Sequence, residues 1–104
     1  MEDRKRVYEA IFLEQVNQFI NNLAAQEQGR IAAQIEMIQT GQFEAISTKL
    51  LKRPIKELIV GKYRFIFFID KHLIYFIYAF VKKTKKTPKQ YIKLSETIYK
   101  SIKK

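Results

Sequence analysis

The stretch IKELIVGKYRFIFFIDKHLIYFIYAFV, residues 55–81, decides the fold. It contains three β-prone apolar runs, separated by short polar breaks at Gly61-Lys62 and around Lys71. Breaks of this length between such runs are typical of tight hairpin turns. A membrane-spanning helix would need roughly 20 apolar residues without a break of this kind. The stretch therefore predicts an antiparallel meander of three strands.

The middle run predicts a central strand. Its alternating side chains form two faces, one with Tyr63, Phe65, Phe67 and Ile69, the other with Arg64, Ile66 and Phe68. Both faces are mostly apolar, as expected for a strand that is covered on both sides. A lone arginine on such a strand is unusual and marks Arg64 as a candidate functional residue.

Upstream of the meander the pattern predicts one strand and a helical hairpin. Residues 6–12 are short and β-prone, which favours a first strand. Two runs then show helical spacing: Val16, Phe19, Ile20 and Leu23, followed by Ile31, Ala32, Ile35 and Ile38. The joint between the two helices is expected at residues 26–29, and Gly41 ends the second helix. Residues 42–54 are predicted to be irregular.

Downstream, FVKKTKKTPKQY, residues 80–91, combines a lysine run with the start of a helix. Thr87 is a good N-cap, Pro88 suits the first helical position, and Gln90 completes a capping-box pattern. The C-terminal helix is predicted to have an apolar stripe formed by Tyr91, Leu94, Ile98 and Ile102. Capping does not explain the lysines, because positive charge is unfavourable near a helix N-terminus.

Length and composition indicate a single α+β domain over residues 1–104. The chain is 47% hydrophobic, which is too apolar for a disordered protein. It has no cysteine, which excludes disulfides and thiolate zinc sites and fits a reducing cytoplasm. The charged N-terminus does not have the pattern of a secretory signal, and no membrane association is expected.

The positive charge is concentrated in the C-terminal half. Residues 1–48 carry four basic and seven acidic side chains, a net charge of −3. Residues 49–104 carry sixteen basic and three acidic side chains, a net charge of +13. This asymmetry predicts a polyanionic partner, and a general solubilising charge is the alternative.

The order of predicted elements resembles the RelE/ParE toxin superfamily. KELIVGKYRFIFFID followed by FVKKTKKTP is similar to the phage-derived, HigB-like branch, whose motifs are Glu-Leu-Arg, Tyr-Arg and His-Gly-Phe-x-Lys-Lys-Thr-x-Lys-Thr-Pro. Tyr63-Arg64 matches, and so do Phe80, Lys82, Lys83, Thr84, Lys86, Thr87 and Pro88. This chain has Ile59 in place of the motif's first arginine, and Tyr78-Ala79 in place of His-Gly.

The resemblance implies the toxin of a type II toxin–antitoxin system that acts in the cytoplasm. Such a toxin is expected to cleave mRNA in a ribosome-dependent manner. Its expected partners are mRNA, the ribosome and a cognate antitoxin, which often has a helix-turn-helix domain. Contact with DNA is expected only through the complex with this antitoxin. The motif residues are the ones expected to carry the activity.

Basic side chains can support the cleavage of RNA without a metal ion. RNA supplies its own nucleophile, the 2′-hydroxyl, so cleavage needs positioning, charge neutralisation and proton transfer. Arg64 is the first catalytic candidate, because its planar fork can bind the scissile phosphate. The alternative for Arg64 is an ion pair with Glu57. Lys82 and Lys83 are the next catalytic candidates, with a solvated strand end as the alternative.

Further residues are predicted to bind RNA. Lys85 and Lys86 would hold the RNA or ribosome backbone, and Lys49 and Lys52 would line the same groove. Tyr91 could stack on a base, although its place in the apolar stripe favours the core. No metal or cofactor is expected, because the only histidine, His72, lies in a predicted turn far from the lysines.

Two other functions stay open at this point. One is a binding module without catalysis, either a gyrase inhibitor of the ParE kind or an inactivated toxin, which Ile59 favours. The other is a general RNA-binding protein, whose affinity would fall steeply with salt and which would not be toxic.

Overall fold

The computed structural model describes residues 5–103. Its strands are β1 (Glu9–Phe12), β2 (Ser47–Lys52), β3 (Ile55–Val60), β4 (Tyr63–Asp70) and β5 (Leu73–Val81). Its α-helices are α1 (Glu14–Asn21), α2 (Ala25–Gln39) and α3 (Lys89–Ile102), and a short 3-10 helix spans Phe43–Ala45. No helix within this part of the chain has the length and apolar character needed to cross a bilayer.

The five strands form one sheet in the order β1-β5-β4-β3-β2. β1 runs parallel to β5, and the other neighbouring strands are antiparallel. β4 is the middle strand, and its residues 63–68 are all buried. The prediction of a central strand is therefore confirmed, and so is the α+β class.

The sheet separates two hydrophobic cores. The α1–α2 hairpin covers one face, where Val16 and Ile31 pack on Phe65 and Phe67. α3 covers the other face, against a core that includes Ile66 and Phe68, with partly buried Tyr91, Ile98, Tyr99 and Ile102 packed against it. Successive side chains of β4 point into one core and then the other, which is why both faces of this strand are apolar. Leu94, which was predicted to belong to the α3 stripe, is 43% exposed.

The antiparallel part of the sheet has four strands rather than the predicted three. Residues 47–52 form β2, in a region predicted to be irregular, and pair with β3. Of these six residues, Leu51 is half-buried and the other five are exposed. An edge strand of this kind forms through backbone hydrogen bonds, so it needs no apolar alternation in its sequence.

The first strand and the helical joint also differ from the predictions. Strand pairing starts at Glu9 rather than at residue 6, because the backbone N–H groups of Val7 and Tyr8 both donate to the Gln39 carbonyl. The joint lies at residues 22–24 rather than 26–29, and Gly29 is inside α2. A single exposed glycine costs a helix only about 1 kcal/mol relative to alanine, which the packing of α2 offsets.

Gly41 ends α2 as predicted. Its φ of 77° is in the left-handed region, which suits glycine because it lacks a Cβ. The N–H of Gly41 donates to the Ile38 carbonyl, and the N–H of Gln42 donates to the Met37 carbonyl. This pair of bonds is a Schellman motif, so the end of α2 is specified locally.

Candidate functional site

The lysine segment, defined here as residues 82–88, begins where β5 ends. In the β4–β5 ladder, Arg64 is in register with Phe80. The backbone N–H of Lys82 donates to the Lys62 carbonyl at 2.8 Å, so the ladder continues one step into the segment. The lysine segment therefore starts at the end of the sheet that carries Arg64.

Arg64 is mostly buried, with 11% of its side chain exposed. Its Nη1 donates to the carbonyls of Gly61 at 2.6 Å and Tyr63 at 3.0 Å. Its Nε lies 3.3 Å from Glu57 Oε1, which is close enough for an ion pair but is not aligned for a hydrogen bond. The ion pair considered as the alternative for Arg64 is thus present. Nη2 makes no hydrogen bond to residues 5–103.

Glu57 connects the sheet to the lysine segment. Its side chain is fully buried, and its Oε2 accepts a hydrogen bond from the Thr87 hydroxyl. The prediction that Thr87 caps a helix is therefore wrong, because α3 begins at Lys89 without a side-chain cap bond. The reason is that a buried carboxylate needs a donor, whereas the N–H groups at this exposed helix start can bond to water.

The lysine segment carries most of its charge at the surface. Lys82 is half-buried, whereas Lys83, Lys85 and Lys86 are exposed. The Thr84 hydroxyl donates to the Lys86 carbonyl at 2.7 Å, which folds the segment into a turn. A cleft of about 340 Å³ lies beside the turn, lined by Phe80, Val81, Lys83, Thr84, Pro88 and Tyr91. Phe80 is the residue in register with Arg64, so Lys83 and Arg64 belong to the same region of the molecule.

The cleft is bordered by an aromatic cluster. The ring centroid of Tyr91 lies 4.9 Å from that of Tyr78 and 4.7 Å from that of Phe80. Burial, followed by the proximity of Tyr91, raises the pKa of the Tyr78 phenol. Tyr91 is half-buried, so it packs on the core and also borders the cleft.

Lys49 and Lys52 of β2 have different surroundings. Lys49 lines a second cleft, of about 290 Å³, together with Lys86 and Thr87. Lys52 forms an ion pair with Glu96 of α3 at 2.7 Å, and this contact lowers the pKa of the Glu96 carboxyl. The structure therefore brings Lys49, but not Lys52, to the lysine segment.

Two cations near this end of the sheet were missed by the sequence analysis. Lys62 lies in the turn before Arg64, with its Nζ 5.5 Å from the centroid of the Tyr63 ring. Arg30 of α2 lies against the same turn, with Nη2 3.3 Å from where a Cβ on Gly61 would be. The proximity of Lys62 to Arg64 in sequence was a usable signal, whereas Arg30 reaches the turn only through the packing of α2.

The site has no features of a metal centre. Within the described residues, no three His, Asp or Glu side chains form a group that could hold a metal ion. His72 is exposed in the β4–β5 turn, at the other end of the sheet from the lysine segment. The chemistry available to this surface is that of guanidinium, ammonium, phenol and hydroxyl groups.

Comparison with known proteins identifies a family for most of the chain. Residues 18–100 match the family described as Phage derived protein Gp49-like (DUF891). No curated protein is similar enough to count as a relative.

Solved structures that share the fold include three complexes or isolated chains of RelE toxins. The archaeal RelE–RelB complex from Pyrococcus horikoshii OT3 contains a chain with a TM-score of 0.65 and 14% identity, covering 72% of this chain and 94% of that chain. The RelB–RelE antitoxin–toxin complex from Methanococcus jannaschii contains a chain with a TM-score of 0.58 and 17% identity, covering 68% of this chain and 88% of that chain. The isolated E. coli RelE toxin has a TM-score of 0.57 and 16% identity, covering 88% of this chain and 98% of that chain. The RelE-like fold implied by the motifs is thus confirmed.

Proposed function

The chain belongs to the phage-derived Gp49-like family, and on this premise we propose that it is the toxin of a toxin–antitoxin pair that cleaves mRNA in the ribosome. The RelE-like fold supports the toxin assignment. The position of Arg64 is the observation that carries the proposed chemistry. Its guanidinium is fixed by two carbonyls and a carboxylate, while Nη2 makes no bond to the described residues.

In this proposal, Arg64 and the first lysines of the segment act on one scissile phosphate. The 2′-oxygen attacks phosphorus, the bond to the 5′-oxygen breaks, and a 2′,3′-cyclic phosphate and a 5′-hydroxyl result. Arg64 Nη2 neutralises charge on the phosphorane. Lys82 and Lys83 are proposed to serve the two proton transfers, one accepting the 2′-hydroxyl proton and the other giving a proton to the leaving 5′-oxygen.

The surrounding residues are proposed to hold the RNA. Lys49, Lys85 and Lys86 would contact neighbouring phosphates from the exposed side of the segment. Tyr91 borders the cleft next to Lys83, where a base could stack on its ring. Lys52 is proposed only as a weak contact, because its ammonium group is paired with Glu96.

The proposed partner in the resting cell is an antitoxin. Two of the similar structures are RelE–RelB complexes, which supports a small protein partner for this chain. Residues 49–104 carry a net charge of +13, so we propose that the antitoxin covers this surface with acidic side chains.

A non-catalytic toxin is the second candidate function, and Ile59 favours it. Ile59 is in register with Arg64 on the neighbouring strand. It stands where the resemblance implies a second arginine, so this side of Arg64 is apolar. With one guanidinium fewer to neutralise a phosphorane, the surface would act by binding a target such as DNA gyrase.

Expression of the chain in bacteria, followed by mapping of mRNA 5′ ends, tests the proposal. We expect growth arrest and cuts in phase with codons. Lys82→Gln combined with Lys83→Gln should lower cleavage by about 100-fold or more, the usual contribution of proton-transfer groups. Both side chains lie outside the fully buried core, so the variant should fold.

Lys71→Gln is the matched control, because it removes a lysine from the β4–β5 turn at the other end of the sheet. It should leave cleavage unchanged. Arrest with intact mRNA and gyrase-linked DNA breaks would support the second candidate instead. A chain that causes neither arrest nor cleavage would reject the toxin assignment.

A further inference from the structure

The buried carboxylate of Glu57 transfers no proton and binds no phosphate in the chemistry proposed above. Its side chain is 0% exposed, and it lies in register with Ile66 of β4 on one side and with Lys49 of β2 on the other. A buried carboxylate is unfavourable unless it is paired and hydrogen-bonded. Its two oxygens meet this need with partners from different elements, because Oε1 faces Arg64 on β4 and Oε2 accepts the Thr87 hydroxyl from the lysine segment.

The lysine segment has few other attachments to the sheet. At its start, the Lys82 N–H donates to the Lys62 carbonyl. The Thr84 hydroxyl bonds to the Lys86 carbonyl, which is a bond within the segment. Among the bonds found within residues 5–103, the Thr87 hydroxyl alone ties a side chain of the segment to a strand. The bond to Glu57 is therefore the side-chain hydrogen bond that joins the end of the segment to the sheet.

The same carboxylate also sets the orientation of Arg64. Nη1 is fixed by the Gly61 and Tyr63 carbonyls, and the charge of Glu57 attracts Nε. These contacts engage two of the three guanidinium nitrogens, and Nη2 makes no hydrogen bond to the described residues. One side chain thus orients the guanidinium and also anchors the segment that carries the lysines.

We propose that Glu57 is a positioning residue that aligns Arg64 with the lysine segment. This inference rests on the proposed function, since the alignment matters when both groups act on one phosphate. Glu57 does not contact the RNA. It acts through Arg64 on one side and through Thr87 on the other, and small displacements of such groups strongly lower the rate of a chemical step.

Substitution of Thr87 tests this coupling while leaving the buried ion pair intact. Thr87→Val removes the hydroxyl but keeps the shape of the side chain. We expect kcat for RNA cleavage to fall by about 10-fold to 100-fold, with KM changed less than 2-fold because the exposed lysines still bind the backbone. Thr87→Ser restores the hydroxyl and should return kcat to within about 3-fold of the wild type.

Ser95→Ala is the matched control, because Ser95 Oγ is another buried hydroxyl and has no hydrogen-bond partner within residues 5–103. It should leave kcat unchanged. Glu57→Gln removes the charged acceptor that both Arg64 and the Thr87 hydroxyl use, so we expect a fall in kcat that Thr87→Val does not deepen proportionally. Additive effects of the two substitutions would overturn the proposal.

Amide hydrogen exchange of the lysine segment separates this inference from the proposed function. Thr87→Val should speed exchange of the Lys82 amide, which donates to the Lys62 carbonyl, at least about 10-fold, as expected when a segment loses its anchor, while exchange in the core strands β3 and β4 stays unchanged. If the wild type cleaves no RNA, the proposed function fails, although this exchange result still tests the anchor. A Thr87→Val variant with wild-type exchange and wild-type kcat would refute the role of Glu57.

Discussion

Tyr78 is a half-buried phenol whose pKa is raised, first by burial and then by Tyr91. A raised pKa means that the folded chain holds the phenolic proton more tightly than the unfolded chain does. The resulting contribution to stability is fully present below the ordinary tyrosine pKa of about 10. It is lost as the pH rises through the higher pKa of the folded state.

We therefore expect alkaline pH to destabilise the wild type more than Tyr78→Phe. The midpoint of urea unfolding, measured at about pH 9 and about pH 11 on either side of the ordinary pKa, should fall further in the wild type. Titration of phenolate absorbance in the folded protein should show that one late-ionising tyrosine is missing from the variant. Equal pH dependence of the two proteins would contradict the prediction.

The contacts of Glu57 show what sequence can and cannot predict about single residues. Its ion pair with Arg64 was predictable as an alternative, because both residues lie on neighbouring strands of one hairpin. Its bond to Thr87 was not, because the two residues are 30 positions apart. Thr87 also fits a local capping-box pattern. That pattern accounted for the threonine without a distant partner, and the resulting prediction of a helix cap was wrong.

At the scale of elements, α2 contains one glycine and is followed by another in the opposite situation. Gly29 is an exposed residue inside the helix, and a Cβ placed on it would meet nothing within 4 Å. Gly41 follows the helix with a φ of 77°, and a Cβ on it would make an ordinary contact of 3.8 Å with Val7. Neither substitution to alanine causes a clash, so the two differ through backbone conformation alone.

We expect Gly41→Ala and Gly29→Ala to have opposite effects on the free energy of unfolding. Gly41→Ala should lower it by about 1–2 kcal/mol, because alanine is strained in the left-handed region. Gly29→Ala should raise it by up to about 1 kcal/mol, because alanine is the better helix former. Urea unfolding monitored by circular dichroism measures both. A destabilising Gly29→Ala would mean that this turn of α2 is not a regular exposed helix.

β2 shows why one strand could not be predicted from its sequence. Its two apolar residues, Leu50 and Leu51, are adjacent rather than alternating, and its pairing with β3 shifts register between Leu50 and Lys52. Leu50 is 50% exposed, and the strand is held by backbone bonds at the edge of the sheet. By contrast, β4 is buried on both faces and was predictable from its composition.

At the scale of the whole molecule, the order of elements was predictable but the position of each charge was not. The hairpin turns of the meander, with left-handed backbone at Gly61 and Lys71, lie where the polar breaks placed them. The excess of lysine in residues 49–104 was also evident. However, tertiary packing decides that Lys49 lines a cleft with Lys86, whereas Lys52 pairs with Glu96.

The location of the lysines predicts how RNA binding depends on salt. Each phosphate contact adds about −0.7 to the slope of log affinity against log salt for a single strand. Lys83→Gln with Lys86→Gln should therefore make the slope shallower by about 1–1.5.

Lys71→Gln with Lys100→Gln is the control, because it removes equal charge at the opposite end of the sheet. The Lys103–Asp70 ion pair joins that end to α3. This variant should leave the slope unchanged. A fluorescent RNA with 2′-O-methyl riboses, which cannot be cleaved, is the probe. Equal changes in both double variants would mean that the net charge, rather than the lysine segment, binds RNA.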